Sequence, residues 1–386
     1  MSEQAAVKTL PRRITAFRVS TPAANEPPLH TASPLRDTEP GRRLVFKPRT
    51  GIVKGSARWP ARPDLPDGND AKTYRLISPD ARFYVTIGHY TNGSNHPFEV
   101  FANGDAPRGL GPLPWLLSRV MRSTDRLWIQ KNLKALQKVT TKPFDMTLPG
   151  GTTRRVNGLV AAFATLVDHR CHELGFFNDS VTESPMLAAR MCEKEAKGTA
   201  EGFTTHSWNV SNAQTGDDGT VTLKEYTTED GTIVPLSVWF SGRFEPEWEG
   251  LAKVLSLQMQ ISDLSLIATT LQELESYHER NGEYGFAGVP GSDKQRYYPS
   301  TLAYVATLLR ARYQRLGLFG EDGMPVQQMG LFHRDADDLP HEQAGVTARA
   351  QASASGRDCV TCGAIGAVHR SSGCDVCSAC GASRCS

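Results

Sequence analysis

The feature that most constrains this chain is an internal repeat. "PFEVFANGDAPRGLGPLPWLLSRVMRSTDRLWIQKNLKAL" begins at Pro97, and "PLSVWFSGRFEPEWEGLAKVLSLQMQISDLSLIATTLQEL" begins at Pro235. The offset is 235 − 97 = 138, and eleven of the forty columns are identical without a gap. Among them are Pro97/Pro235, Val100/Val238, Gly104/Gly242, Ser118/Ser256, Met121/Met259 and Asp125/Asp263. The match extends outwards: "VTIGHY" (Val85–Tyr90) pairs with "VTLKEY" (Val221–Tyr226), and "ATLVDHRCHELGFF" (Ala164–Phe177) with "ATLLRARYQRLGLF" (Ala306–Phe319). A unit that recurs this way is one structural module built twice.

Each copy reads alike. Alternation around Tyr84 and Thr86 and the Phe98–Phe101 run predict strands of a hairpin, with "TNGSNH" and "TEDGTI" as turns. Leu113, Leu117, Val120 and Met121, mirrored by Leu251, Val254, Leu255 and Met259, mark the buried face of a helix. Ser123 or Thr124, and Ser262, are candidate N-caps for a second helix carrying Ile129, Leu133 and Leu136 or their mates. A longer helix closes each copy at Gly175 and Gly317. The fold class is therefore α+β: two tandem copies of a small antiparallel sheet with helices on one face, packed as a pseudo-dimer.

The flanks differ in character. Residues 1–65 read as a basic, Pro-rich disordered arm; positions 1–62 hold 12 Lys/Arg against 4 Asp/Glu. The first copy spans 66–178, a connector with a short helix at 185–195 fills 179–204, and the second copy spans 205–320. Residues 321–358 lack an apolar period and read as a flexible linker to a tail at 359–386. With 39% apolar and 22% charged residues, the chain has a globular makeup, and its net charge of +2 forces no nucleic-acid or membrane reading. "GLVAAFATLV" (Gly158–Val167) is about half of a membrane span, so it reads as a buried helix. No secretory leader is visible, and the expected compartment is the cytosol, where paired thiols serve metals or redox chemistry rather than structural disulfides.

The tail, "CVTCGAIGAVHRSSGCDVCSACGASRCS", holds six of the eight cysteines. Cys359/Cys362 and Cys377/Cys380 form two C-x2-C knuckles, which present four thiolates in the pattern of a zinc ribbon. So short a segment buries little apolar surface, so metal binding would supply most of its folding free energy. His369 reads as a bystander. Cys374 and Cys385 remain, near Arg384, as a candidate mobile dithiol. Cys380 and Cys385 form an alternative C-x4-C pair. The upstream thiols, Cys171 and Cys192, read as buried or incidental.

"SGCDVCSACGASRC" resembles the extreme C-terminus of adenosylcobalamin-dependent (class II) ribonucleotide reductases, which end in GC-x2-C-x2-CG-x-SKC after an earlier CxxC. "KTYRLISPDARFYVTIGHYTNGSNHPFEVFANG" followed by "LLSRVMRS" is similar to the small TSCPD domain that follows the catalytic barrel there. The resemblance covers roughly 58–177, a diverged second copy at 205–320, and the tail at 359–385. Gly104-Asp105 replaces the family's GK, and the second copy has "VWFSGRFEP" in place of the strand motif. The barrel itself finds no room between repeats and tails. The resemblance thus implies an accessory chain of a split enzyme, not catalytic alone. A separate barrel chain would hold adenosylcobalamin and nucleotide. Cys374 and Cys385 would re-reduce its active-site disulfide, recharged by thioredoxin or a glutaredoxin-type reductant.

Two other readings stand beside it. One is a non-catalytic zinc-ribbon binding or regulatory protein. The tail's sparse cations and lack of aromatics argue against nucleic acid as its ligand. The other is a free-standing domain with a structural zinc.

Overall fold

The computed structural model describes residues 68–90, 95–178, 184–191, 204–227, 231–279, 281–290 and 294–326, with short strands at 368–371, 374–377 and 383–385. The arm at 1–65 lies outside the described residues, as do most of the linker and, in the connector, all but 184–191 and 204.

The first copy opens with β1 (Ala71–Ile77), β2 (Arg82–Tyr90) and β3 (His96–Gly104), an antiparallel sheet in that order. Alternation decides its faces: Tyr74, Leu76, Phe83, Val85 and Ile87 are buried, whereas Ile77 and Tyr84 are exposed. Then come α1 (Pro112–Met121), α2 (Arg126–Leu136), a hairpin of β4 (Phe144–Thr147) and β5 (Thr153–Val156), and α3 (Leu159–Glu173). After a short α4 (Pro185–Ala188), the second copy repeats the order. Its sheet is β6 (Thr204–Asn212), β7 (Asp217–Thr227) and β8 (Ile233–Arg243). It continues with α5 (Trp248–Met259), α6 (Ser265–Leu274), the hairpin β9 (Gly285–Gly288) and β10 (Gln295–Tyr298), and α7 (Thr301–Arg315).

The identical columns of the repeat are explained by what they hold. Ser118 on α1 accepts the Val100 N–H at 2.9 Å and donates to its carbonyl at 3.1 Å, so the edge strand β3 is closed by a helix rather than left open. Ser256 does the same for Val238. Both middle strands carry a bulge at the matching place, between Gly88 and His89 and between Lys224 and Glu225. Gly104 and Gly242 have φ of +87° and +107°, which a side chain would resist. Both long helices end in the same motif: Phe176 N–H bonds the Cys171 carbonyl and Gly175 N–H that of His172, as Leu318 and Gly317 do with Tyr313 and Gln314.

Three details differ from the sequence reading. The cap of α2 is an aspartate: Asp125 accepts the Trp128 N–H at 2.9 Å, whereas α6 starts after Leu264 without a side-chain cap, and Asp263 accepts the Ser265 N–H at 3.0 Å from one residue further out. A carboxylate accepts this bond more strongly than a hydroxyl, and it also complements the helix dipole. Ser123 instead accepts the N–H of Asp125, and Ser262 donates to the Ala189 carbonyl across the connector. The described connector helix is one turn, Pro185–Ala188. Residues 321–326, grouped with the linker by composition, fold back on the end of α7: Phe319 bridges Pro325, and Val326 N–H bonds the Leu318 carbonyl.

One apolar core runs through both copies, because α5 packs on α1 and α2. Gly250 on α5 is pressed against Val160 and Leu113 of the first copy; a Cβ there would meet Val160 Cγ1 at 2.8 Å. The "GLVAAFATLV" run is the buried half of α3. Among the described residues, no helix is long and apolar enough to cross a membrane.

Candidate functional site: the cysteine tail and the junction between copies

The tail forms a three-stranded antiparallel sheet of β11 (Val368–Ser371), β12 (Cys374–Cys377) and β13 (Ser383–Cys385). Its register places Cys374 directly opposite Cys385, Asp375 opposite Arg384 and Val376 opposite Ser383. On the other side Val368 faces Cys377, His369 faces Val376, and Ser371 faces Cys374. Among the described tail cysteines, Cys374 and Cys385 are therefore cross-strand partners.

Of the proposed zinc ligands, Cys377 is the last residue of β12, and Cys380 falls in the stretch joining β12 to β13. Cys359, Cys362 and Cys380 lie outside the described residues. Among the described residues no group of three or more His, Cys, Asp or Glu is placed to hold a metal. The donor set itself suits zinc: soft thiolates, with one knuckle opening at a strand end. Cys192 also lies outside the described residues, while Cys171 is fully buried in α3. Burial pushes its thiol well above the usual range, Asp168 adds to this, and the group is inert at neutral pH.

The sequence reading missed the ionic junction between the copies. Arg108, in the turn before α1, donates from Nη1 and Nη2 to the two Asp217 oxygens at 2.9 and 2.6 Å. Its Nε reaches Glu279 at 3.1 Å and its Nη1 reaches Glu245 at 3.1 Å. The guanidinium also lies 5.2 Å from the Trp248 ring centre. Burial opposes ionisation of Asp217, but bonds from Arg108, Thr215 and Thr301 outweigh it and hold the carboxyl below its usual range. Burial pushes Glu279 up against the pull of Arg108. A second cross-copy pair joins Arg119 on α1 to Glu273 on α6. No local pattern announces such residues, because Arg108 and Asp217 are 109 positions apart and the repeat mate of Arg108 (108 + 138) is Pro246.

Beside this junction lies a cleft of about 450 Å³, bounded by Phe101, Trp115 and Arg122 of the first copy and Tyr277, His278 and Glu279 of the second. A corrin with its appended groups is larger than this cleft. The junction's charged groups bond one another across the copies, and it reads as a lock that fixes one copy against the other. Compared with family models, with curated proteins and with solved structures, the chain returns no match.

Proposed function

We propose that this chain is the accessory subunit of an adenosylcobalamin-dependent ribonucleotide reductase and carries the reducing dithiol for a separate barrel chain. The observation that supports this best is the register that sets Cys374 opposite Cys385. Two thiols held as neighbours are what a two-electron exchange requires. One thiolate attacks the partner's disulfide, a mixed disulfide forms, and one partner thiolate leaves. The second tail thiolate then attacks the mixed disulfide. The tail closes as a disulfide, and the partner is released as a dithiol with both electrons. A thioredoxin- or glutaredoxin-type dithiol reverses the change in the tail.

Sulfur must touch sulfur in each step, so the dithiol has to travel. The tether this reading needs is the stretch 327–358, after the segment that folds back on α7, and a flexible coil of that length reaches on the order of 30 Å. Zinc, held by Cys359, Cys362, Cys377 and Cys380, would supply the tail's folding free energy and take no part in exchange. Adenosylcobalamin belongs to the partner chain in this reading, and no step above passes through it.

The test is a reductase assay that combines this chain with a barrel subunit, adenosylcobalamin and thioredoxin. Turnover should need the chain and fail with Cys374→Ser or Cys385→Ser, while a single round driven by dithiothreitol survives. Turnover indifferent to the chain would sink the reading and favour a zinc-dependent binding protein.

A further inference from the structure

The cleft beside the junction falls where the two copies differ at matched positions. At the repeat offset, Ala102 and Ala106 stand where the second copy has Phe240 and Phe244. Those two rings pack on each other at 5.5 Å and on Trp248 at 5.4 and 5.5 Å, with Phe244 and Trp248 stacked. The mate of Trp248 is Leu110, which is fully buried in the first copy. The two alanines are only half-buried, and both line the cleft of about 450 Å³ together with Phe101, Trp115 and Tyr277. Its volume lies in the range of ligand pockets. The second copy thus fills from within a place that the first copy leaves open.

The backbone beside the cleft is open as well. Ser118 bonds the N–H and the carbonyl of Val100, so these groups point away from β2 and towards α1. Residues two apart along a strand aim their backbone groups the same way, so those of Ala102 point to that side too. The closure by Ser118 ends at Val100. Among the described residues, no strand pairs with β3 on that side. An open strand edge next to a cleft is how folded domains take up an extended peptide.

We propose that the cleft receives an aromatic side chain from an extended segment of another polypeptide, which adds to β3 at Ala102. The incoming ring takes the place that Phe240 and Phe244 fill in the second copy, among Phe101, Trp115 and Tyr277. Because the second copy supplies its own rings, one segment is taken up per chain. The inference stands apart from the reductase reading.

The experiment titrates the full-length chain by calorimetry with the capped peptide Thr-Val-Phe-Val-Thr. The controls are Thr-Val-Ala-Val-Thr, which lacks the ring, and N-acetyl-phenylalanine amide, which lacks the flanking backbone. The phenylalanine peptide should saturate a single site, and each control should bind about tenfold more weakly or worse. Ala106→Phe, which restores a ring of the second copy, should weaken the peptide by about tenfold or more. Trp115→Lys, which copies the matched Lys253, should do the same with an unchanged circular dichroism spectrum, and it tests the cleft even if Ala106→Phe misfolds. No saturable binding, equal affinity for either control, or full binding by Trp115→Lys would overturn the proposal. Binding seen only in a Phe17→Ser, Phe46→Ser, Trp59→Ser chain would seat the chain's own first residues in the cleft and overturn it. Self-association that Ala106→Phe abolishes would seat another molecule of this chain there, with the same consequence.

Discussion

Arg108 grips Asp217 with two parallel hydrogen bonds, 2.9 and 2.6 Å long, and so ties the first copy to the start of β7, the middle strand of the second sheet. Asp217 and Glu279 have side chains only 3% and 4% exposed, so neither can turn to water if the guanidinium goes. Arg108→Met should therefore destabilise the chain by about 3 kcal/mol, the penalty of a broken buried pair. Arg108→Lys should recover only part, because an ammonium cannot fork. Urea unfolding measures both; a loss below about 1 kcal/mol for Arg108→Met would show that the junction is not a lock.

Removing a helix hydroxyl should open an edge strand. Ser118→Ala leaves the buried Val100 N–H without its partner and should cost about 1–3 kcal/mol. Ser256→Ala should cost less, since its bonds to Val238 are 3.1 and 3.5 Å against 2.9 and 3.1 Å in the first copy. Equal losses would mean that the hydroxyls serve packing alone.

His96 makes stability depend on pH. Burial pushes its imidazole down from 6.5 to about 4, against the bond to the Met121 carbonyl, with Arg126 adding to the fall. The folded chain thus keeps it neutral while the unfolded chain takes up a proton from pH 6.5 downwards. Stability from this site is complete above 6.5 and is lost between 6.5 and about 4, by about 3 kcal/mol in total. Comparing His96→Gln with the parent across that window isolates the effect. The variant's curve should be flatter there, and parallel curves would exclude His96 as the cause.

The matched glycines should differ in tolerance. Gly242 has φ +107°, and a Cβ would stand 2.7 Å from the Gly219 Cα and 2.8 Å from the Asp218 carbonyl oxygen. Gly104 has φ +87° but nothing nearer than 3.9 Å. Gly104→Ala should carry only the strain of the left-handed backbone, about 1 kcal/mol, and Gly242→Ala should cost clearly more. The ordering of the two melting temperatures decides it.

Legibility followed range along the chain. The sheets, the paired helices and the C-terminal glycines of α3 and α7 could be read because strand alternation, helical period and capping are local signals, doubled by the repeat. The hairpins β4–β5 and β9–β10 could not. Their strands are only four residues long, and Thr153–Val156 and Gln295–Tyr298 each bury one residue, so even the alternation of Phe144–Thr147 is too short to stand out. Asp125 was visible as an identical column with Asp263, but the neighbouring hydroxyls masked it as the cap of α2. The Arg108 junction was invisible, since its partners come from three distant segments. In the tail, spacing marked out the cysteines and left two pairings for Cys385; strand register, which spacing does not reveal, sets Cys374 opposite it.

The close seat of Gly250 on Val160 has a consequence for stoichiometry. The mate of Gly250 in the first copy (250 − 138) is Pro112, at the first turn of α1, so the two modules meet through surfaces that are no longer the same. A dimer of identical modules would offer every visitor two equal landing places. This body has a left and a right, and a protein that recognises either side should bind once per chain.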